Sequence, residues 1–403
     1  MQRSPWLLTL AVAAAALAQP PLAVREDLYG IWLQEGSKRQ QDGRWEAAVV
    51  CYRRALEYRP GGGEALYGLG VSLAHTGKIR EAEQSLRQLL AVNPSHAGGS
   101  LLLGRLLRSR GAAREAAEVL RAALARRPAD AALAKELGGA LLQTGSAAQA
   151  LSPLHQALAS GRDDYEVRLL LGRCYATLGD AVHAGEHLSK ALALKPHDPT
   201  AALHLLEVYL GAGRWLEALN LSQTQVGTHP TDRRFWWAMA RAALSLAEAT
   251  KAMQAVTEAI RLTPRKEQRN AVLRAAKMGL AADLPEVTLA AVKTVPRPDA
   301  ELLAYRAKAA EALDRWVDAA GAWELAAAAR SDLLAEAARC WLIAGEKARA
   351  LACLDRLGQK EPMALAEAAR LALSMGREEE AERYARRLLA MMPNKPDLHL
   401  NVA

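Results

Sequence analysis

Seven alanines, Ala48, Ala82, Ala116, Ala150, Ala184, Ala218 and Ala252, recur every 34 residues without a slip. Gly43, Gly77, Gly111, Gly145, Gly179 and Gly213 keep the same period, and so do Gly36, Gly70, Gly104, Gly138 and Gly172. Pro60, Pro94, Pro128, Pro196, Pro230, Pro264 and Pro298 keep it too, with Arg162 the one exception. A fixed period of this length argues against one globular core and for an array of small units. Each unit has room for two helices, too little to bury its own apolar faces, so neighbours must stack into a continuous core. The proline closes each unit because it has no amide hydrogen with which to continue a helix.

In the first unit, counted from Tyr29, Trp32 and Gly36 hold positions four and eight, Ala48, Tyr52 and Ala55 hold twenty, twenty-four and twenty-seven, and Pro60 holds thirty-two. Position by position, this pattern resembles the tetratricopeptide repeat. The resemblance implies an all-α fold, a right-handed α-solenoid of stacked helix pairs with about eleven repeats. Glycine at position eight lets the two helices approach closely, and glycine at fifteen accepts the left-handed turn that ends the first helix. Units start in register at Tyr29, Gly63, Ala97, Ala131, Tyr165, Pro199, Arg233 and Glu267. The phase then slips, and later units begin near Ala300, Ser331 and Pro362, marked by Trp316-Val317-Asp318-Ala319, Gly345, Ala350, Gly376, Ala381 and Pro393.

The organisation expected is therefore repeats one to seven over 29–264, a degenerate eighth over 265–299, repeats nine to eleven over 300–395, and a tail over 396–403. In the eighth the signature glycines and the alanine at twenty are missing, Pro285 opens a shortened second helix, and Pro296 and Pro298 follow closely. A merely degenerate repeat and a hinge are both open readings.

Half the residues are apolar, with a single Phe, which suits an all-helical stack better than β structure. The net charge is +8, but basic and acidic residues are interspersed and no Lys/Arg block marks a nucleic-acid arm. At the amino terminus Met1-Gln2-Arg3 precedes an apolar run from Trp6 to Leu17 and a small-x-small site, Ala16-Leu17-Ala18. This reads as a signal peptide over 1–18 followed by a short linker over 19–28. A membrane anchor needs about 20 apolar residues, and Pro20-Pro21 closes the run earlier. The expected product is exported, periplasmic or secreted, without stable membrane insertion after cleavage.

Cys174 and Cys340 fall at repeat position ten, and Cys51 and Cys353 at twenty-three, where small semi-buried side chains belong. Cys340 and Cys353 share one repeat, so a bridge between them stays open. His183-Ala184-Gly185-Glu186-His187 matches a zinc-peptidase signature and motivates a metal-dependent hydrolase as the alternative function. Against it, Ala184 is the packing alanine of the fifth repeat. His183 and Glu186 then point away from the stripe of Ala184, Leu188 and Ala191, and the motif is expected on the solvated outer surface. No cofactor or metal is expected. Gly77-Lys78 lacks the Ser/Thr and the first glycine of a phosphate loop.

What remains is surface. On the first helix, positions two, five, nine, twelve and thirteen lie opposite the second helix, and the family resemblance implies that this face lines a concave groove. Position nine reads Ser37, Val71, Arg105, Gly139, Arg173, Glu207, Arg241, Ala275, Lys308, Arg339 and Arg370. Six of the eleven are cationic, a ladder suited to acidic side chains or a peptide carboxylate. The competing reading pairs these arginines within the groove, with Glu207, Glu301 or Glu311. Trp237, at position five beside Arg241, is a candidate anchor or a packing residue. The expected function is an exported, non-enzymatic scaffold that takes a protein or peptide, acidic in part, in a basic groove lined by Arg105, Arg173, Arg241, Trp237, Lys308, Arg339 and Arg370. An envelope or polysaccharide-assembly adaptor is a further form of the same binding role.

Overall fold

The computed structural model describes residues 21–392, so the signal-like run, its Ala16-Leu17-Ala18 site and the tail over 396–403 lie outside the described residues. Among the described residues there are twenty-two α-helices, a single 3₁₀ turn at Ser331–Leu333 and no strand. They form eleven pairs, here called A and B in each repeat. Within each of two compact units, divided between Ala201 and Ala202, helix A packs on its own B, and B packs on the A that follows. The division falls inside the helix Pro199–Gly211, while both helices of repeat eight pack within the second unit. The fold is an all-α solenoid of stacked helix pairs.

The A helices open at Gly63, Ala97, Ala131, Tyr165, Pro199 and Arg233, as the period predicts, and after the slip in phase at Ala300 and Pro362, where later units are expected. The first helix differs, running Leu22–Gln41 and so beginning well before Tyr29. Its extra turns are held to the end of the first B helix, where Arg25 Nη2 donates to the Tyr58 carbonyl at 2.9 Å. Helix B ends where the period places proline, because the residue before a proline is driven out of the α region. Arg59, Asn93, Arg127 and Lys195 all cap with φ between −131° and −140°. In repeat four, where Arg162 replaces proline, the helix ends instead on Gly161 at φ +82°.

All seven periodic alanines are fully buried. Glycine at position eight has a steric reason as well: a Cβ on Gly172 would lie 2.5 Å from Leu188 Cγ and 3.2 Å from its backbone nitrogen. The four cysteines are buried and free, so the open question of a Cys340–Cys353 bridge resolves to two packing thiols. Burial pushes the Cys340 thiol up to about 12 and the Cys353 thiol up to about 11.

Repeat eight departs from the pattern in a specific way. Its A helix, Arg265–Ala281, has 17 residues, whereas its B helix, Pro285–Lys293, has only 9. Close approach of the two comes from Gly279 and Thr288 in place of the usual glycine and alanine. Thr288 Oγ1, fully buried, donates to the Ala276 carbonyl at 2.9 Å across the helix pair.

Candidate functional site

Helices A of repeats three, four and five, Ala97–Ser109, Ala131–Gln143 and Tyr165–Thr177, line an open concavity of about 1070 Å³. Six of the lining side chains come from the positions opposite helix B: Lys135 and Leu169 at five, Arg105 and Arg173 at nine, Arg108 and Leu142 at twelve. A second hollow of about 380 Å³ adjoins it through Arg105 and is lined by Tyr67, Val71, Ala74, Leu101 and Leu102. The first unit therefore carries one groove with an apolar end on repeats two and three and a charged end on repeats three to five.

At the charged end six cationic side chains, Arg105, Arg108, Lys135, Arg162, Arg173 and Lys195, line the wall with three carboxylates, Glu136, Asp164 and Glu166. Glu136 is nearly buried and accepts from both Arg105 Nε at 2.7 Å and Arg108 Nη1 at 2.5 Å. Gly139 at position nine makes the space for this, since a Cβ there would sit 3.0 Å from Arg108 Nη1. Buried Lys135 pairs with the more exposed Glu166, and its hydrogen bond holds the Glu166 carboxyl below the ordinary value. Arg162 pairs with Asp164 at 2.9 Å. Lys195 Nζ lies 4.5 Å from the Tyr165 ring centroid, a cation–π contact that leaves its charge without a described carboxylate in contact. Arg173 is exposed and forms no ion pair among the described residues.

Of the ladder expected from position nine, Arg105 and Arg173 thus meet at one concavity, but Arg105 is already engaged with Glu136. The remaining ladder residues belong to the second unit. There Arg339 donates to Glu311 at 2.6 Å and to Glu336 at 3.0 Å, realising the internal pairing with Glu311. Glu301 instead receives Arg269, and Glu207 receives His204. Arg241, Lys308 and Arg370 are exposed. Trp237 is half-buried, with the Arg274 guanidinium 4.9 Å over its ring, so a neighbouring A helix covers it in part. Lys135 and Arg108 were missed by reading position nine alone; positions five and twelve carry them in plain sight.

The zinc-like signature needs a correction. His183 is exposed and bonded to Asp180 at 2.6 Å, and Glu186 is exposed and bonded to Lys190 at 2.6 Å, as expected for the outer surface. His187 is not solvated: it is 6% exposed, stacked on Tyr175 with 5.6 Å between ring centroids, and accepts from Arg168 at its Nδ1. Burial first, and the Arg168 cation next, push its pKa down to about 4. His183 and His187 both stack on Tyr175, at 5.1 and 5.6 Å between ring centroids, while their polar contacts and that of Glu186 go to Asp180, Arg168 and Lys190. No group of three His, Cys, Asp or Glu side chains among the described residues is placed to hold a metal ion. Nor is any described helix long and apolar enough to cross a membrane.

Comparison with known proteins agrees with the geometry. One model of the tetratricopeptide repeat matches residues 33–79, 76–131, 101–154 and 135–199, and a second matches 177–242. The chain matches none of the curated proteins. Among solved structures, it resembles a Pseudomonas aeruginosa pilF protein at 21% identity, covering 52% of this chain and 96% of that one with a TM-score of 0.44. A Parabacteroides merdae tetratricopeptide repeat protein is similar at 16% identity, with 66% and 99% covered and a TM-score of 0.45. A thermophilic repeat protein from Thermus thermophilus shares 27% identity over 45% of this chain and 99% of its own, with a TM-score of 0.34. Proteins of this kind are generally non-enzymatic scaffolds for protein interaction, and the chain belongs to the tetratricopeptide repeat family.

Proposed function

We propose that this protein is an exported scaffold that holds a peptide segment of another protein in the groove of repeats two to five. The observation that carries this is the groove's composition. An apolar end around Tyr67, Leu101 and Leu102 runs into a basic end where Arg173 and Lys195 have no carboxylate partner among the described residues. The segment that fits carries apolar residues beside acidic ones, because arginine and lysine at the exposed end recover charge-assisted hydrogen bonds only with an anion. Selecting a random peptide library on the purified protein should enrich peptides with Asp or Glu next to an apolar run. Arg173→Glu combined with Lys195→Glu should weaken those peptides tenfold or more and leave the melting temperature nearly unchanged, since exposed charges contribute little to stability. Equal enrichment on both proteins would sink the groove reading.

Export rests on the Ala16-Leu17-Ala18 site and the apolar run before it. Intact-mass analysis of protein made in a secreting host should give Gln19 as the first residue. A full-length chain retained in the cell would overturn it.

A further inference from the structure

The short B helix of repeat eight leaves a cavity of about 420 Å³ in the second unit, between Pro285–Lys293, the loop that follows and the helices of repeat nine. Its walls are Leu289, Val292, Val295 and Ala310, and its charged residues are Lys293, Arg306, Arg315 and Asp318. Arg306 is the telling residue. It occupies position seven of repeat nine, where repeats two to six have Leu69, Leu103, Leu137, Leu171 and Leu205, all buried. Here helix B stops at Lys293, position seven is exposed, and an arginine stands in the opening. None of the three cations forms an ion pair with Asp318 or any other described carboxylate, so three positive charges face one negative across an apolar floor.

We propose that this cavity binds an aliphatic carboxylate, its chain against Leu289, Val292 and Val295 and its carboxylate between Arg306 and Arg315. Two guanidinium forks suit a planar carboxylate, which each can engage bidentately. A phosphate group is a poorer fit: it needs more donors, and the lining holds no Ser or Thr while Pro296 and Pro298 supply no amide hydrogen. The volume suits a small ligand, and apolar side chains beside charged ones in one cavity suit a ligand with an apolar body and a charged head.

The test is isothermal titration of the full purified chain with octanoate, octanol, acetate and inorganic phosphate. Octanoate should bind saturably at one site, and octanol and acetate at least tenfold more weakly, because each lacks one half of the recognition. Arg306→Gln and, separately, Arg306→Leu should weaken octanoate tenfold or more. The second variant restores the residue found at this position in other repeats and should melt no lower than the wild type, so loss of binding cannot be ascribed to unfolding. Octanol binding as tightly as octanoate would overturn the carboxylate site, as would phosphate binding more tightly than octanoate or unaltered binding in both variants.

Discussion

Gly279→Ala is expected to destabilise the second unit by about 3 kcal/mol, against what helix propensity alone says. Alanine is the better helix former by roughly 1 kcal/mol, so in an open helix this exchange stabilises. At Gly279, however, the new Cβ would stand 2.6 Å from Thr288 Oγ1, 2.9 Å from its backbone nitrogen and 3.2 Å from the Leu284 carbonyl. Two of these are backbone atoms of the facing segment, and they cannot rotate away. The helix pair must separate, and with it the buried bond from Thr288 to Ala276. Gly30→Ala is the control: Gly30 also lies inside a helix, Leu22–Gln41, but no atom waits within 4 Å of its Cβ. That exchange should stabilise by roughly 0.5–1 kcal/mol. Hydrogen exchange on peptides of repeat eight and of the first helix reads the two locally, which suits a stack whose units open semi-independently. Both variants shifting in the same direction would refute the steric account.

Acid should weaken the first unit through His187. Its folded pKa is about 4, below the ordinary value of 6.5, because burial and Arg168 both oppose the imidazolium. Arg168 Nη1 donates to Nδ1 at 3.3 Å, a contact that a proton on Nδ1 would abolish. The unfolded chain takes up this proton first, so the contribution to stability is complete above about pH 6.5 and is lost progressively as pH falls through 4. The full difference is about 3 kcal/mol between pH 7 and pH 4. Glu186 nearby favours protonation, while His155 and Lys190 oppose it, each more weakly than burial does. His187→Gln keeps an acceptor for Arg168 and cannot titrate. Its stability at pH 7 should be lower than that of the wild type, but its decline toward pH 4 should be shallower by about 3 kcal/mol. Acid loss from depressed carboxylates that His187 does not influence, such as Asp198, is common to both proteins and cancels in the comparison. Parallel curves would show that His187 is not the titrating group.

The zinc-like signature illustrates what a helical wheel within one repeat misses. It placed His183 and Glu186 correctly and left His187 undetected as a buried residue. The signal was present one level up: His187 is at position twenty-three, the position of Cys51 and Cys353, and both are buried. What encloses the histidine is also legible only across helices. Arg168 stands at position four, where repeat one has Trp32, and its guanidinium, tied to Asp163 by two bonds of 2.6 Å, reaches the ring from helix A.

By itself the sequence determined the helix pairs, their register and their core. A strict period places the same small residue at each close approach, and Ala48 through Ala252 are buried as that period requires. Helical geometry also placed positions five, nine and twelve opposite helix B, and the resemblance to the repeat family implied that this face lines the groove. The tertiary structure alone decided which cations are engaged and which are open. Arg105 and Arg173 are equivalent in the repeat, yet Glu136, one repeat on, takes the first and no described carboxylate reaches the second. It decided likewise that repeat eight closes through Gly279 and Thr288, outside the signature positions. A period records what every repeat shares; a charge pair or a substitute contact depends on which side chain the neighbouring repeat brings within reach, and only three-dimensional packing sets that distance.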